Sequence, residues 1–89
     1  MVTCDDAKRQ SNLKKHGIDL TACSTVFDAP MLTEEDRRIA YGETRLRSLG
    51  WLHDRVVVLI WVDRPTAPHL ISCRYGDKHE TQTYFRAVL

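Results

Sequence analysis

Seven consecutive apolar residues, Val56 to Val62, constrain the fold more than any other feature of the chain. The run is mostly β-branched and has no polar face, which suits a central strand covered on both sides of a sheet. It is far too short to cross a bilayer as a helix. The flanking sequence offers pairing partners. Glu43 to Leu52 alternates for part of its length, with Glu43, Arg45 and Arg47 on one face and Thr44, Leu46 and Ser48 on the other. His53-Asp54 reads as the turn that follows. Leu70 to Arg74 is a further strand, reached through a loop from Asp63 to Pro68 whose two prolines interrupt pairing. Arg37 to Tyr41 reads as an earlier strand, with Gly42 at a turn.

Helical signals bracket this β-rich centre. After a short possible strand, Asp5 to His16 reads as a helix, with Asp5 able to accept from the free N–H groups of the first turn and Gly17 suited to the left-handed residue that ends it. A second helix runs from Asp19, a plausible N-cap, to Phe27, on the stripe Leu20, Cys23, Val26 and Phe27, and Pro30 closes it. A last helix starts near Asp77 and reaches at least Arg86. The order predicts an α+β fold in one domain, 1–89: two N-terminal helices, an antiparallel sheet and a C-terminal helix.

Charge leaves nucleic acid open. The 13 Lys and Arg against 12 Asp and Glu give a net charge of +1, where an RNA-binding surface usually leaves a strongly basic footprint. The charges are unevenly placed, however. Lys8, Arg9, Lys14 and Lys15 cluster, as do Arg45 and Arg47, whereas Glu34, Glu35 and Asp36 form an acidic patch. Cys4, Cys23 and Cys73 are odd in number and scattered, which points to reduced, mostly buried thiols. A metal site drawn from Cys73, His69 and His79 lacks the usual ligand spacings, so no metal or cofactor is expected. The N-terminus has neither the basic start nor the apolar core of a signal peptide, and a cytoplasmic protein without membrane contact is expected.

Strand periodicity makes the sharpest chemical suggestion. Arg45 and Arg47 share one face of their strand, and Ser72 and Arg74 share one face of theirs. If those faces coincide, at least three arginines form a cationic surface suited to a phosphodiester, because guanidinium binds phosphate bidentately and stays charged. The same parity turns His69 away from Arg74 unless a bulge intervenes. The plainer alternative is a solvated face, or pairing with Glu43 and Glu80 in salt bridges of little consequence. Lys8, Asn12, Lys15 and His16 lie on one side of the first helix. His16 titrates near neutrality and suits a general acid or base, and Lys15 suits a phosphate. Equally, Asn12 and His16 can tie the helix end to a strand. Glu80 completes a D-x-x-E capping box with Asp77. Tyr84, one turn on, either packs on the core with its hydroxyl at the polar face or acts as acid or base beside a ribose. Trp51 and Trp61 read as packing residues rather than base-stacking platforms.

Four stretches, Asn12-Leu13-Lys14-Lys15-His16-Gly17, Gly42-Glu43-Thr44-Arg45, Ile71-Ser72-Cys73-Arg74 and Glu80 with Tyr84, resemble in order and spacing the BrnT family of bacterial ribonuclease toxins. The match runs from about Asp5 to Tyr84. The resemblance implies a RelE-like fold and an endoribonuclease that works without metal, the ribose 2′-hydroxyl attacking the adjacent phosphate. It also implies growth inhibition, neutralisation by a BrnA-like antitoxin in a hetero-oligomer, and DNA contact only through that antitoxin. The family's recurring arginines match Arg45 and Arg74. With His16 and Tyr84 these form the expected catalytic set, and Lys15, Lys8 and Arg47 the expected RNA-binding set. Three positions depart from the pattern: Cys4 stands where an aromatic is usual, His69 where Arg is common and Gly76 where Ala is common. The rival reading is a catalytically weak module of the same fold whose main task is binding the antitoxin in operon autoregulation.

Overall fold

The run Val56–Val62 lies in the middle strand of a five-stranded sheet, as its lack of a polar face predicts. A computed structural model describes every residue of the chain except Ile39 and Tyr41. In chain order the elements are β1 (Thr3–Cys4), α1 (Asp6–His16), a 3₁₀ helix (Leu20–Asp28), β2 (Leu32–Asp36), β3 (Arg45–Leu52), β4 (Arg55–Asp63), β5 (Pro68–Tyr75) and α2 (Lys78–Val88). The strands stand side by side in the order β1-β5-β4-β3-β2. Pairing is antiparallel from β2 through β5, but β1 runs parallel to β5, so the sheet is mixed rather than wholly antiparallel.

Both faces of β4 are covered. On one face Ile18, Leu20, Cys23 and Val26 pack against Leu52, Val57, Leu59, Trp61, Leu70 and Cys73. On the other, α2 lays Tyr84 against Leu49, Val56 and Val58, flanked by Trp51 and Val88. Trp61 is a core residue, edge-on to Phe27 with ring centroids 5.0 Å apart, its indole N–H donating to Ser48 Oγ at 2.9 Å. The 3₁₀ helix approaches β3 so closely that a Cβ on Gly50 would lie 2.5 Å from Val26 Cγ1, a contact only glycine permits.

Several local expectations shift. The second helical segment is 3₁₀, not α. Its Thr21, Ser24 and Thr25 are weak α-formers, and two of their hydroxyls bond locally, Thr21 to Asp19 Oδ1 at 2.8 Å and Thr25 to the Ala22 carbonyl at 3.4 Å. Asp19 does cap it, accepting from Thr21 N–H at 3.0 Å. Asp5 sits at the N-cap of α1 without a side-chain capping bond, whereas Gly17 ends that helix at φ 72° as expected. The strand expected at Arg37–Tyr41 lies earlier, at Leu32–Asp36. Of the expected segment Arg37, Arg38 and Ala40 are not in a strand, and Ile39 and Tyr41 lie outside the described residues. An edge strand takes its place from its neighbour rather than from its own propensity. Here Glu34 pairs with Arg47, and Thr33 shares a 2.7 Å hydrogen bond with Ser48. Pro68 is no loop residue but the first of β5, a position that needs no donor.

One polar side chain fixes α1 to the sheet. Beyond the two residues of β1, Asn12 meets β5, accepting from Cys73 N–H and donating to Cys73 C=O, both at 2.9 Å, as a neighbouring strand would. Its second amide hydrogen reaches Ile18 C=O at 2.9 Å. Arg9 and Asp19 add a bidentate ion pair, both bonds 2.9 Å, between α1 and the start of the 3₁₀ helix. Among the described residues no helix is long and apolar enough to cross a membrane.

Candidate active site

α2 covers only part of its sheet face. On that face β3 continues from Leu49 to Arg47 and Arg45, and β5 from Arg74 to Ser72, with Ile60 of β4 between them. α1 stands at the β5 side and Arg38, just after β2, at the other. Two adjoining depressions of about 280 and 230 Å³ result, sharing Lys15, His16, Arg38, Ile60 and Ser72. Lys8 and Arg45 line the first, Arg47 and Arg74 the second. Six of the seven expected site residues therefore come together in one open, cationic cleft.

The strand argument explains the convergence. Arg47 pairs in register with Ile60, Ile60 with Ser72, and Val58 with Arg74, so the arginine faces of β3 and β5 coincide across β4. Pairing slips between Ile60 and Trp61: Ile60 faces Ser72 but Trp61 faces Leu70, leaving Ile71 as the extra residue. That bulge reverses parity and returns His69 to the face of Ser72 and Arg74. Its ring is buried, however, with Nδ1 sharing a 2.8 Å hydrogen bond with Thr3 Oγ1.

Electrostatics within the cleft are specific. Burial, then Lys15, then Arg74 push the His16 imidazole below its ordinary value of 6.5, which leaves the ring neutral at pH 7. Arg74 and Arg47 are not loose cations. Arg74 donates from Nη1 and Nη2 to Glu80 Oε1 and Oε2 at 2.8 and 2.9 Å, and Arg47 donates from Nη2 to Oε2 at 2.8 Å. Arg47 also reaches Glu34 at 3.4 Å. The Arg74 guanidinium, desolvation opposing, holds the Glu80 carboxyl at about 2. The expected capping box is present: Glu80 N–H donates to Asp77 Oδ1 at 2.8 Å, and Asp77 N–H donates to Glu80 Oε1 at 2.9 Å.

Residues 4–80 of the chain match the family described as ribonuclease toxin, BrnT, of type II toxin–antitoxin systems. The chain belongs to the BrnT family. No curated protein matches it. Membership brings RNA as the substrate class and an antitoxin protein as partner.

In this BrnT chain Tyr84 stands apart from the cleft. It is buried, and its hydroxyl donates to the Pro30 carbonyl at 2.8 Å, so ring and hydroxyl alike hold α2 against the chain leading into β2. Arg38 also lines the cleft, a place the sequence does not show because β2 ends at Asp36, ahead of the Arg37–Tyr41 segment that reads as a strand. It grips the buried Asp36 carboxylate bidentately, both bonds 2.8 Å.

Proposed function

We propose that this BrnT chain is a metal-independent endoribonuclease of RelE-like architecture, acting in the cytoplasm as a single domain and neutralised by a BrnA-like antitoxin that occupies the cleft. What carries the reading is the gathering of Lys8, Lys15, His16, Arg45, Arg47 and Arg74 from three separate elements onto one open surface. The ribose 2′-oxygen attacks the adjacent phosphorus and the P–O5′ bond breaks, giving a 2′,3′-cyclic phosphate and a 5′-hydroxyl. His16, neutral at pH 7, takes the 2′ proton. Lys15 holds the phosphate and protonates the leaving 5′-oxygen. Arg45 and Arg74 stabilise the charge that develops on the phosphorane. Lys8 and Arg47 bind flanking phosphates. Tyr84, bonded to Pro30, has no part in this assignment. DNA is reached only through the antitoxin.

The purified chain, freed of partner and incubated with RNA in excess EDTA, is expected to leave 2′,3′-cyclic phosphate ends. A folded Arg45→Ala/Arg74→Ala variant is expected to lose that cleavage. Cleavage that needs added metal sinks the metal-free mechanism, and full activity in the double variant sinks the assigned cation site. No cleavage by the wild-type chain favours the antitoxin-binding module, a reading supported by the net charge of +1 and by the ion pairing of two cleft arginines with Glu80.

A further inference from the structure

Glu80 lies at the edge of the cleft, 8% exposed, and its carboxylate accepts four hydrogen bonds, from Asp77 N–H, twice from Arg74 and once from Arg47. Those four fill the lone-pair sites of an ionised carboxylate. Two bonds come from β5, one from β3 and one from the helix cap, so a single side chain locks three elements at one point. Its own backbone is held as well, since Glu80 N–H donates to Asp77 Oδ1. Swinging Glu80 aside would break the capping box together with both ion pairs.

The grip has a direction. Arg74 meets Glu80 end-on, through Nη1 and Nη2, which leaves the Nε–H and the second Nη2–H as a parallel donor pair matched to a phosphate. Arg47 likewise spends Nη2 on Glu80 and Nη1 on Glu34, and keeps its Nε–H. Long arginine side chains lose rotamer freedom when they bind a ligand, and a carboxylate that holds them beforehand removes that cost from the reaction itself.

We propose that Glu80 is a positioning residue for RNA cleavage, holding Arg74 and Arg47 so that their remaining N–H donors meet the scissile phosphate and its neighbour. The proposal rests on the ribonuclease reading above. Glu80 touches no substrate atom and acts through the two guanidiniums. A competing role, in which Glu80 occupies the phosphate's place and restrains the toxin, predicts the opposite sign.

The decisive variant is Glu80→Gln, because Gln satisfies a capping box while losing the charge and the Oε2 acceptor that Arg74 and Arg47 share. Cleavage of an RNA oligonucleotide should show kcat reduced roughly tenfold to a hundredfold, with KM nearly unchanged. Affinity for the matching 2′-deoxy oligonucleotide, which cannot be cleaved, should hold or improve. Combining Glu80→Gln with Arg74→Ala should cost clearly less than the sum of the two single losses, since most of the effect passes through Arg74 and only the remainder through Arg47. Faster cleavage by Glu80→Gln, an unchanged kcat, or additive losses in the double variant each overturn the proposal. Should Glu80→Gln fail to fold, NMR of the wild-type arginine side chains decides. A clamped Arg74 shows separate, slowly rotating Nη protons, with Arg74→Lys as the assignment control, and averaged signals overturn the clamp. A wild-type chain that cleaves no RNA removes the ribonuclease reading and this proposal with it, whereas a cleaving wild type beside an unaltered Glu80→Gln removes the proposal alone.

Discussion

Burial, Lys15 and Arg74 all act against the imidazolium form of His16; Lys15 is its neighbour on α1, whereas Arg74 comes from β5. If the neutral ring accepts the 2′ proton, the acidic limb of kcat/KM lies below 6.5, the ordinary value for the free side chain. Lys15→Ala removes one of the opposing charges and should move that limb upward toward 6.5. His16→Gln should abolish the limb and lower cleavage more than it lowers the melting temperature. A pH profile collected from about pH 5 to 8 decides the assignment, and a limb that persists in His16→Gln gives the base to another group. The candidacy of His16 was legible in the sequence from its side-chain chemistry and its place at a helix end. The downward shift of its titration was not, because that depends first on burial in the folded chain and, beyond the neighbouring Lys15, on an arginine 58 residues further along, brought near by the fold.

At the scale of elements, α1 carries Lys8, Lys15 and His16 into the cleft, and its position depends on Asn12. Asn12→Ala would strip both the N–H and the C=O of Cys73 of a partner in the interior. The expected destabilisation is about 1–3 kcal/mol, read by thermal or urea unfolding. Cleavage should fall further than stability explains, as α1 loses its register against β5. Loss of stability with the cleavage of the folded fraction intact would show that Asn12 is only a structural tie. Before the structure, Asn12 stood as a tie between helix and strand or as part of a reactive face. It is the tie, and through it the reactive side chains of α1 reach the cleft. The helices themselves were readable from short-range signals, Gly17 ending α1 and Asp77 with Glu80 starting α2. The 3₁₀ form of Leu20–Asp28 was not, since an apolar stripe at spacings of three and four suits either helix type.

Across the whole molecule, a net charge of +1 is unevenly spread: Lys8, Lys15, Arg38, Arg45, Arg47 and Arg74 line the cleft, partly offset there by Asp36 and Glu80. Glu80 couples this arrangement to stability. Its folded-state value, about 2, lies below the ordinary 4.5, so its contribution is fully present above about pH 4.5 and disappears as pH falls through about 2. The shift corresponds to about 3 kcal/mol, a substantial share of the stability expected for a domain of this size. Acid unfolding of the wild-type chain should therefore show a steep loss between those limits, with a shallower slope in Glu80→Gln. Parallel slopes for the two proteins would mean that Glu80 contributes little to the native state.

What the sequence determined alone was whatever a few neighbouring residues decide. Val56–Val62 had to be an inner strand because it has no face to give to water, and the parity of Arg45 with Arg47 and of Ser72 with Arg74 follows from strand geometry. Tertiary structure decided the rest, because it depends on partners far apart in the chain. The bulge at Ile71 overrides parity and turns His69 back to the cleft face. β2 forms where β3 offers a partner, not where its own residues favour a strand. Tyr84 and Glu80, four residues apart on one helix, part company for the same reason. The Tyr84 hydroxyl finds the Pro30 carbonyl, while the Glu80 carboxylate finds Arg47 and Arg74, and only folding brings those groups within hydrogen-bond distance.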